Sequence, residues 1–513
     1  LIVPDLRPER TEAHLRFLAS PLLEGRAVGS RGGRIAEEYI RAVLAGAGLQ
    51  PAPRHGFRQV VPLIGMDPTP EIAFSNPSGE AFVPVYRDEY VLEAGVPEES
   101  VSVDAELVFA GYGIHAPEYD WDDYEGMDVA GKVLLVRVND PGTEATTGFF
   151  GGRALTYYGR WTYKFEEAAR RGAAGVILIH TDESAGYGWN VVRNSNIGAQ
   201  YQLAGDPEFP LRVRGWVMEA VARRLLAFGG GDADGLLARS DRPDFRAVPL
   251  CVRVRAAVRS TIAEVVTANV MAMIPGSDYA RADEPIIFMA HHDHLGIGPG
   301  ADGPVIYAGA HDNASGVALL LAMAEAFAAS GARPSRPFLF LASTAEESGL
   351  LGAEWYTRHP AWPLARTAAV LNVDGANLHG PTTDIAPLGV ERSSLGDAVR
   401  AAAEAEGLVV APEQHPEKGS FFRQDHFPFA RAGVPGIAFD HGLTYRDRPA
   451  GWGQAWFDDF VAHHYHQPSD AFSEDFDYRG AIQQGRVMMR TAIAVSEADA
   501  LPDWAGDAEF RRR

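Results

Sequence analysis

The chain has 513 residues, 46% hydrophobic and 22% charged, with 46 Lys+Arg against 68 Asp+Glu for a formal charge of −22. That length favours two domains over one, and the acidic balance disfavours nucleic acid and anionic membranes as partners. No apolar run approaches the ~20 residues that span a bilayer, and a single cysteine excludes an intrachain disulfide or a cysteine-rich metal site.

The sequence opens at Leu1 without a methionine and shows no signal peptide. Removal of a targeting segment, and with it a periplasmic or secreted location, is the expectation. Residues 8–23 and 32–48 carry helix-period apolar positions and predict two amphipathic helices, joined by the loop EGRAVGSRGG. Residues 57–63 predict a strand. From about residue 67 the texture changes: strand-like runs at 105–110, 132–138 and 175–180 alternate with turn clusters and one clear helix, 163–171. This stretch lasts to about residue 258, contains no metal-ligand spacing, and reads as an inserted, mostly β domain. Its aromatic run YYGRWTYK (157–164) either faces a substrate or packs beneath a helix, the commoner use of such residues. Cys251, within VPLCVRV, reads as a packed, inert thiol on a strand.

From Thr261 onward the pattern becomes α/β. An apolar run at 286–290 predicts a buried strand, and it stops at His291, His292, Asp293 and His294. After a Gly/Pro-rich excursion, His311, Asp312 and Asn313 open a helix with Val317, Leu320, Leu321, Met323, Ala324 and Phe327 on its apolar face. The strand candidate 336–343 runs into Glu346 and Glu347, and 367–373 runs into Asp374. A third, 435–439, leads into a long loop, 440–466, holding Trp452, Trp456, Phe457 and the cluster HHYHQPSD that ends at Asp470. A final helix at about 478–497 closes the domain. Taken singly, a carboxylate pair at a strand end is usually just solvated. Here acidic or histidine residues end several successive strand-like units. Such ends lie on one edge of a parallel sheet, so the side chains converge, and imidazole and carboxylate are ordinary zinc ligands.

Six motifs run in order through residues 288–470: AHHDHLG, GAHDNASGVA, STAEESGLLGAEW, NVDG, RQDHFPFARAGVP and YHQPSD. With them the chain resembles the co-catalytic zinc peptidases that include bacterial leucyl aminopeptidases, glutamate carboxypeptidase and the transferrin receptor ectodomain. The insert's AGYGI and KFEEAARRGAAGVILIH resemble the protease-associated (PA) domain, and the HExxH helix of another zinc peptidase class is absent. The resemblance implies a mixed, mainly parallel sheet flanked by helices, the α/β fold of zinc aminopeptidases and phosphorylase-hydrolase relatives. Residues 1–66 and 259–500 would form the peptidase domain, 67–258 the insert and 501–513 a C-terminal tail.

Carried over position by position, the resemblance gives His291 and Asp374 one zinc, Glu347 and His466 the other, and makes Asp312 the bridge. Glu346 becomes the general base that deprotonates a metal-bridging water, and Asp293 the residue that fixes the His291 tautomer. Tyr465 would donate to the developing oxyanion. Arg423, with Asp425 and His426, would belong to the substrate site, although Gln424 stands where the family often has serine. His292, His294, His311, His463 and His464 read as neighbours of ligands. The implied activity is that of an aminopeptidase acting on peptides with two zinc ions; the oligomeric state is left open, a monomer being one possibility. Two alternatives remain. A carboxypeptidase or dipeptidase on the same core would need cationic groups such as Arg423, Arg446 and Arg448. A receptor-like binding protein would show degenerate ligands. A glutaminyl cyclase of related fold works with one zinc, and the complete ligand set argues against it. Trp452, Trp456 and Phe457 either line an apolar pocket for a bulky side chain or pack the loop against the domain.

Overall fold

The strands Ile286–His291 and Phe338–Ser343 are buried at every position, as parallel strands covered on both faces must be. Period-two alternation sorts their side chains between two cores. Ile286, Phe288, Ala290, Phe338, Phe340 and Ala342 enter one; Ile287, Met289, Leu339 and Leu341 enter the other. This computed structural model describes every residue except Leu1, 142–149, Asp206, 301–302, Ala332, 507–508 and Arg513. The chain divides into two compact units: residues 1–63, 265–414 and 423–513, and residues 64–264 with 415–422.

In the first unit the strand order runs Gly436–Ala438, Ala369–Asn372, Ile286–His291, Phe338–Ser343, then the C-terminal part of Val248–Ile274. The first four strands are parallel, and the last pairs antiparallel. His291 is in register with Ser343, so these two parallel strands end level and their polar continuations emerge side by side. The helix Gly316–Ala329 is apolar almost all round and lies in the larger core. Residues from the helices Pro8–Leu18, Arg31–Gly46 and Arg479–Glu497 join it there.

Two expectations need correction in this unit. Residues 8–23 are not one helix: the helix stops at Leu18, and Ser20 caps a short turn, Pro21–Arg26. Pro21 cannot continue an interior helix because it lacks the N–H donor. The expected loop 440–466 contains the helix Trp452–His463. Its aromatic residues Trp452, Trp456 and Phe460 recur every four positions, a helical signal that the surrounding turn residues obscure.

In the second unit the N-terminal part of Val248–Ile274 pairs with Ser100–Phe109, followed by Val133–Arg137, Gly175–His180, Val213–Met218 and Tyr90–Ala94. Apolar clusters form on its two faces. Within the aromatic run, Tyr163 and Lys164 are buried, and Tyr157, Tyr158 and Tyr163 pack with Tyr112, Trp121 and Phe150. Packing, then, is what this run does. Cys251 is not packed but exposed. The register against Ser100–Phe109 shifts between Pro249 and Val252, and Cys251 takes a φ of 53°. A bulge of this kind turns one side chain out of the alternation.

Candidate metal centre

His291 is the last residue of its strand, Asp374 lies two beyond the end of Ala369–Asn372, and Glu346 and Glu347 follow Phe338–Ser343. Asp312 comes from the irregular turn Ala310–Ser315 ahead of the core helix, where the Asp312–Asn313 peptide is cis. His466 follows the helix Trp452–His463.

These side chains meet in two groups that share Asp312. In the first, His291 Nε2 lies 3.2 Å from Asp374 Oδ1 and 3.3 Å from Asp312 Oδ1. The other ring nitrogen, Nδ1, lies 3.2 Å from the Asp293 carbonyl, which can only accept. Nδ1 therefore carries the proton in the neutral ring, and the Nε2 lone pair points at two carboxylates. A positive charge reconciles these three acceptors, either a proton on Nε2, which the surrounding carboxylates favour, or a metal ion in its place. In the second group His466 Nε2 lies 3.2 Å from Asp312 Oδ2 and 3.0 Å from Glu347 Oε2. His294 Nδ1 lies 2.6 Å from Glu347 Oε1. Among the described residues, His291, Asp312 and Asp374 form one set with ligand atoms within 4.8 Å of one another, and His294, Asp312 and Glu347 form a second. Nitrogen and carboxylate donors of this kind fit zinc.

Two further contacts fix the loops that carry these groups. Asp470 accepts from the backbone N–H of His311 at 2.8 Å and of Asp312 at 3.0 Å. The Asp293 carboxylate accepts from the N–H of Glu346 at 3.1 Å and of Glu347 at 3.4 Å. It is 3.7 Å from His291 Nδ1, beyond a hydrogen bond. The Asp293 carbonyl thus orients His291, and its carboxylate positions the glutamate pair.

The sequences agree with this geometry. Residues 269–492 match Peptidase family M28, and residues 103–210 match the PA domain. The chain carries an M28 peptidase region with a PA-domain region ahead of it. Every residue of both groups lies within the M28 match. Two solved structures share its fold over the whole chain. One is the aminopeptidase from Aneurinibacillus sp. strain AM-1, 18% identical, covering 99% of this chain and 98% of its own with a TM-score of 0.53. The other is BSAP, a zinc aminopeptidase from Bacillus subtilis, 18% identical, covering 100% of both chains with a TM-score of 0.51. No curated protein matches the chain.

In the M28 peptidase the adjacent glutamates differ in their surroundings. Glu347 is engaged by His294 and His466, whereas Glu346 comes no nearer to His291 Nε2 than 3.9 Å. Burial pushes the Glu346 carboxyl well up, with Asp374, Glu347 and Asp425 adding to the effect. Burial acts on Glu347 in the same direction, but its histidine partners hold it down at about 2. Asp425 is buried and accepts from the Ser343 hydroxyl. His426 is buried beside it. The Tyr465 ring packs against His466, tilted by 33° with 4.1 Å between ring centroids. Trp456 packs with His311, His379, His441 and Phe460, and Trp452 packs on Tyr445. Sequence reasoning gave no role to Asp470, which lies in the quoted YHQPSD motif, and took His294 as a neighbour of ligands; its imidazole reaches Glu347.

Burial lowers the His426 pKa from 6.5 to about 3, with Arg392 acting in the same direction. The unfolded chain takes up this proton near pH 6.5 and the folded chain only near 3. The stabilising contribution is therefore full above pH 6.5 and is lost as pH falls through this window. His426→Leu is expected to flatten the fall in stability between these pH values by up to one proton, or about 1.4 kcal/mol per pH unit. Urea midpoints of both proteins across the range check this; parallel pH dependences would contradict it.

Proposed function

We propose that this M28 peptidase is a zinc-dependent aminopeptidase that releases N-terminal residues from peptides and holds two zinc ions per chain. One observation carries the reading: each of the two oxygens of Asp312 faces a different histidine nitrogen, and each of those nitrogens also faces a second carboxylate. His291 and Asp374 would hold one ion, Glu347 and His466 the other, and Asp312 both, with His294 bracing Glu347. Bound there, zinc supplies Lewis-acid polarisation of the scissile carbonyl and acidifies water.

The chain's own residues do the rest. Glu346, outside hydrogen-bonding distance of His291, accepts the proton of the attacking water and returns it to the leaving amine. The Tyr465 hydroxyl donates to the developing oxyanion. It keeps its proton because burial, then Asp312 and Glu347, push its pKa well above 10. Asp293 holds the backbone of the glutamate pair, and Asp425 and His426 form the floor beneath. Arg423 belongs to the substrate side of this reading. A periplasmic or secreted setting goes with it. Among the described residues no helix is long and apolar enough to cross a membrane.

The N-terminal ammonium is received by Glu346 and Asp374, whose side chains keep 12% and 20% exposure where His291 keeps 2%. Two of the three arginines that a carboxypeptidase would use are engaged elsewhere. Arg446 donates to the Thr382 carbonyl at 3.0 Å, and the Arg448 guanidinium lies over Trp452 at 4.7 Å. Each charge-assisted contact is worth roughly 1.5–3 kcal/mol, so N-acetylation is expected to lower kcat/KM at least ~10²-fold. C-terminal amidation should change little, bulky apolar N-terminal residues should be favoured over acidic ones, and a chelator should abolish turnover. Matched peptides with each end blocked test this. If acetylation is harmless while amidation abolishes turnover, the carboxypeptidase reading replaces this one.

A further inference from the structure

The loop EGRAVGSRGG, whose role the sequence leaves open, carries a guanidinium into the interior beneath the metal centre. Arg26 is 1% exposed. Three successive residues, Glu24, Gly25 and Arg26, take left-handed φ values of 52°, 71° and 53°. Two of them carry side chains, for which this conformation is disfavoured, so the surrounding contacts must hold the turn. Gly25 has no alternative here: a Cβ would come within 2.3 Å of the Tyr307 carbonyl.

Arg26 spends its donors on four carbonyls. Nε donates to His292 O at 2.9 Å, Nη1 to Leu18 O at 2.6 Å and Ala308 O at 2.7 Å, and Nη2 to Gly309 O at 2.9 Å. Its own carbonyl accepts from His294 N–H at 3.3 Å. Two of the segments it binds bear ligands: residues 291–294, with His291, and residues 308–312, with Asp312. Its charge faces Asp470, Asp312, Asp293 and Glu347, yet none of its four hydrogen bonds goes to a carboxylate. The carboxylate lone pairs are left for metal. Lysine could not reproduce this, because an ammonium is a point donor on a flexible stem while guanidinium is a planar fork.

We infer that Arg26 is the positioning residue of the metal centre, a buried fork that locks the His291 and Asp312 segments at the separation zinc requires. This rests on the zinc reading above. The test measures zinc affinity by chelator competition for the wild type, Arg26→Ala and Arg26→Lys, with near-UV circular dichroism reporting the fold of each. Folded Arg26→Ala is expected to bind zinc about 10–100-fold more weakly, the range of outer partners of metal ligands. Guanidinium ion at low millimolar concentration should restore most of that affinity, and ammonium ion none. Arg26→Lys should stay weakened. Affinity in Arg26→Ala within twofold of wild type overturns the inference, as does wild-type affinity in Arg26→Lys or a folded Arg26→Ala that guanidinium does not rescue. If Arg26→Ala fails to fold, Arg26→Lys decides, and failure of both to fold makes Arg26 a residue of the global fold, against the inference. A wild type that binds no zinc would sink the zinc reading itself, a distinguishable result.

Discussion

Glu346→Gln is expected to retain two zinc ions and to lose about 10²–10⁴-fold in kcat, the usual range for removing a general base. The exchange is isosteric, and the Glu346 backbone N–H keeps its bond to Asp293, so the loop stays in place. Zinc content is expected to hold because both oxygens of Glu347 face histidines, at 2.6 and 3.0 Å, while Glu346 makes no contact of that kind with the ligand nitrogens. The substitution removes only the capacity to hold a proton between water and leaving amine. Zinc analysis and steady-state kinetics on the same preparation check this. Metal loss with near-normal rate after zinc is restored would mean that the two glutamates have the opposite roles.

A larger loss is expected at Asp312. Its two oxygens face different histidines, His291 at 3.3 Å and His466 at 3.2 Å, so Asp312→Ala removes a ligand from both groups at once. Zinc should fall from two ions per chain toward none, and activity with it. Asp374→Ala, which touches one group, should leave one ion. By contrast, Asp470→Asn acts only through the backbone of residues 311 and 312 and should cost about 10–100-fold in metal affinity. Elemental analysis of the three variants orders these effects. An Asp312→Ala protein with one tightly held ion would show that the groups are independent.

The parallel strands around the site were legible because each is a short apolar run that stops at polar residues, and the topology of a parallel sheet gathers those ends. The metal-centre side chains came from that convergence together with the motif resemblance. What stayed hidden acts through the backbone or against the local pattern. Asp470 reaches the N–H of His311 across 159 residues, and Arg26 reaches Ala308 across 282; no periodicity in either segment encodes the partner. The Asp293 carbonyl and carboxylate divide two tasks that sequence assigns to the side chain alone. Cys251 escapes its strand pattern because a bulge shifts the alternation, and register shifts of this kind leave no mark on composition.

The division of the chain has a consequence for anyone wishing to dissect it. Residues 64–264 look like a cassette with two ends, but residues 415–422 belong to the same unit. The chain therefore leaves and re-enters the peptidase unit twice. Its first departure and return fall inside the strands Arg58–Ser75 and Val248–Ile274. Excising 64–264 and closing the gap would cut both strands and leave Phe421 and Phe422, buried in the intact protein, without the unit that covers them. A minimal catalytic fragment requires redesign of 415–422 as well as a joint between 63 and 265, and exchange of the insert with another must carry both pieces together.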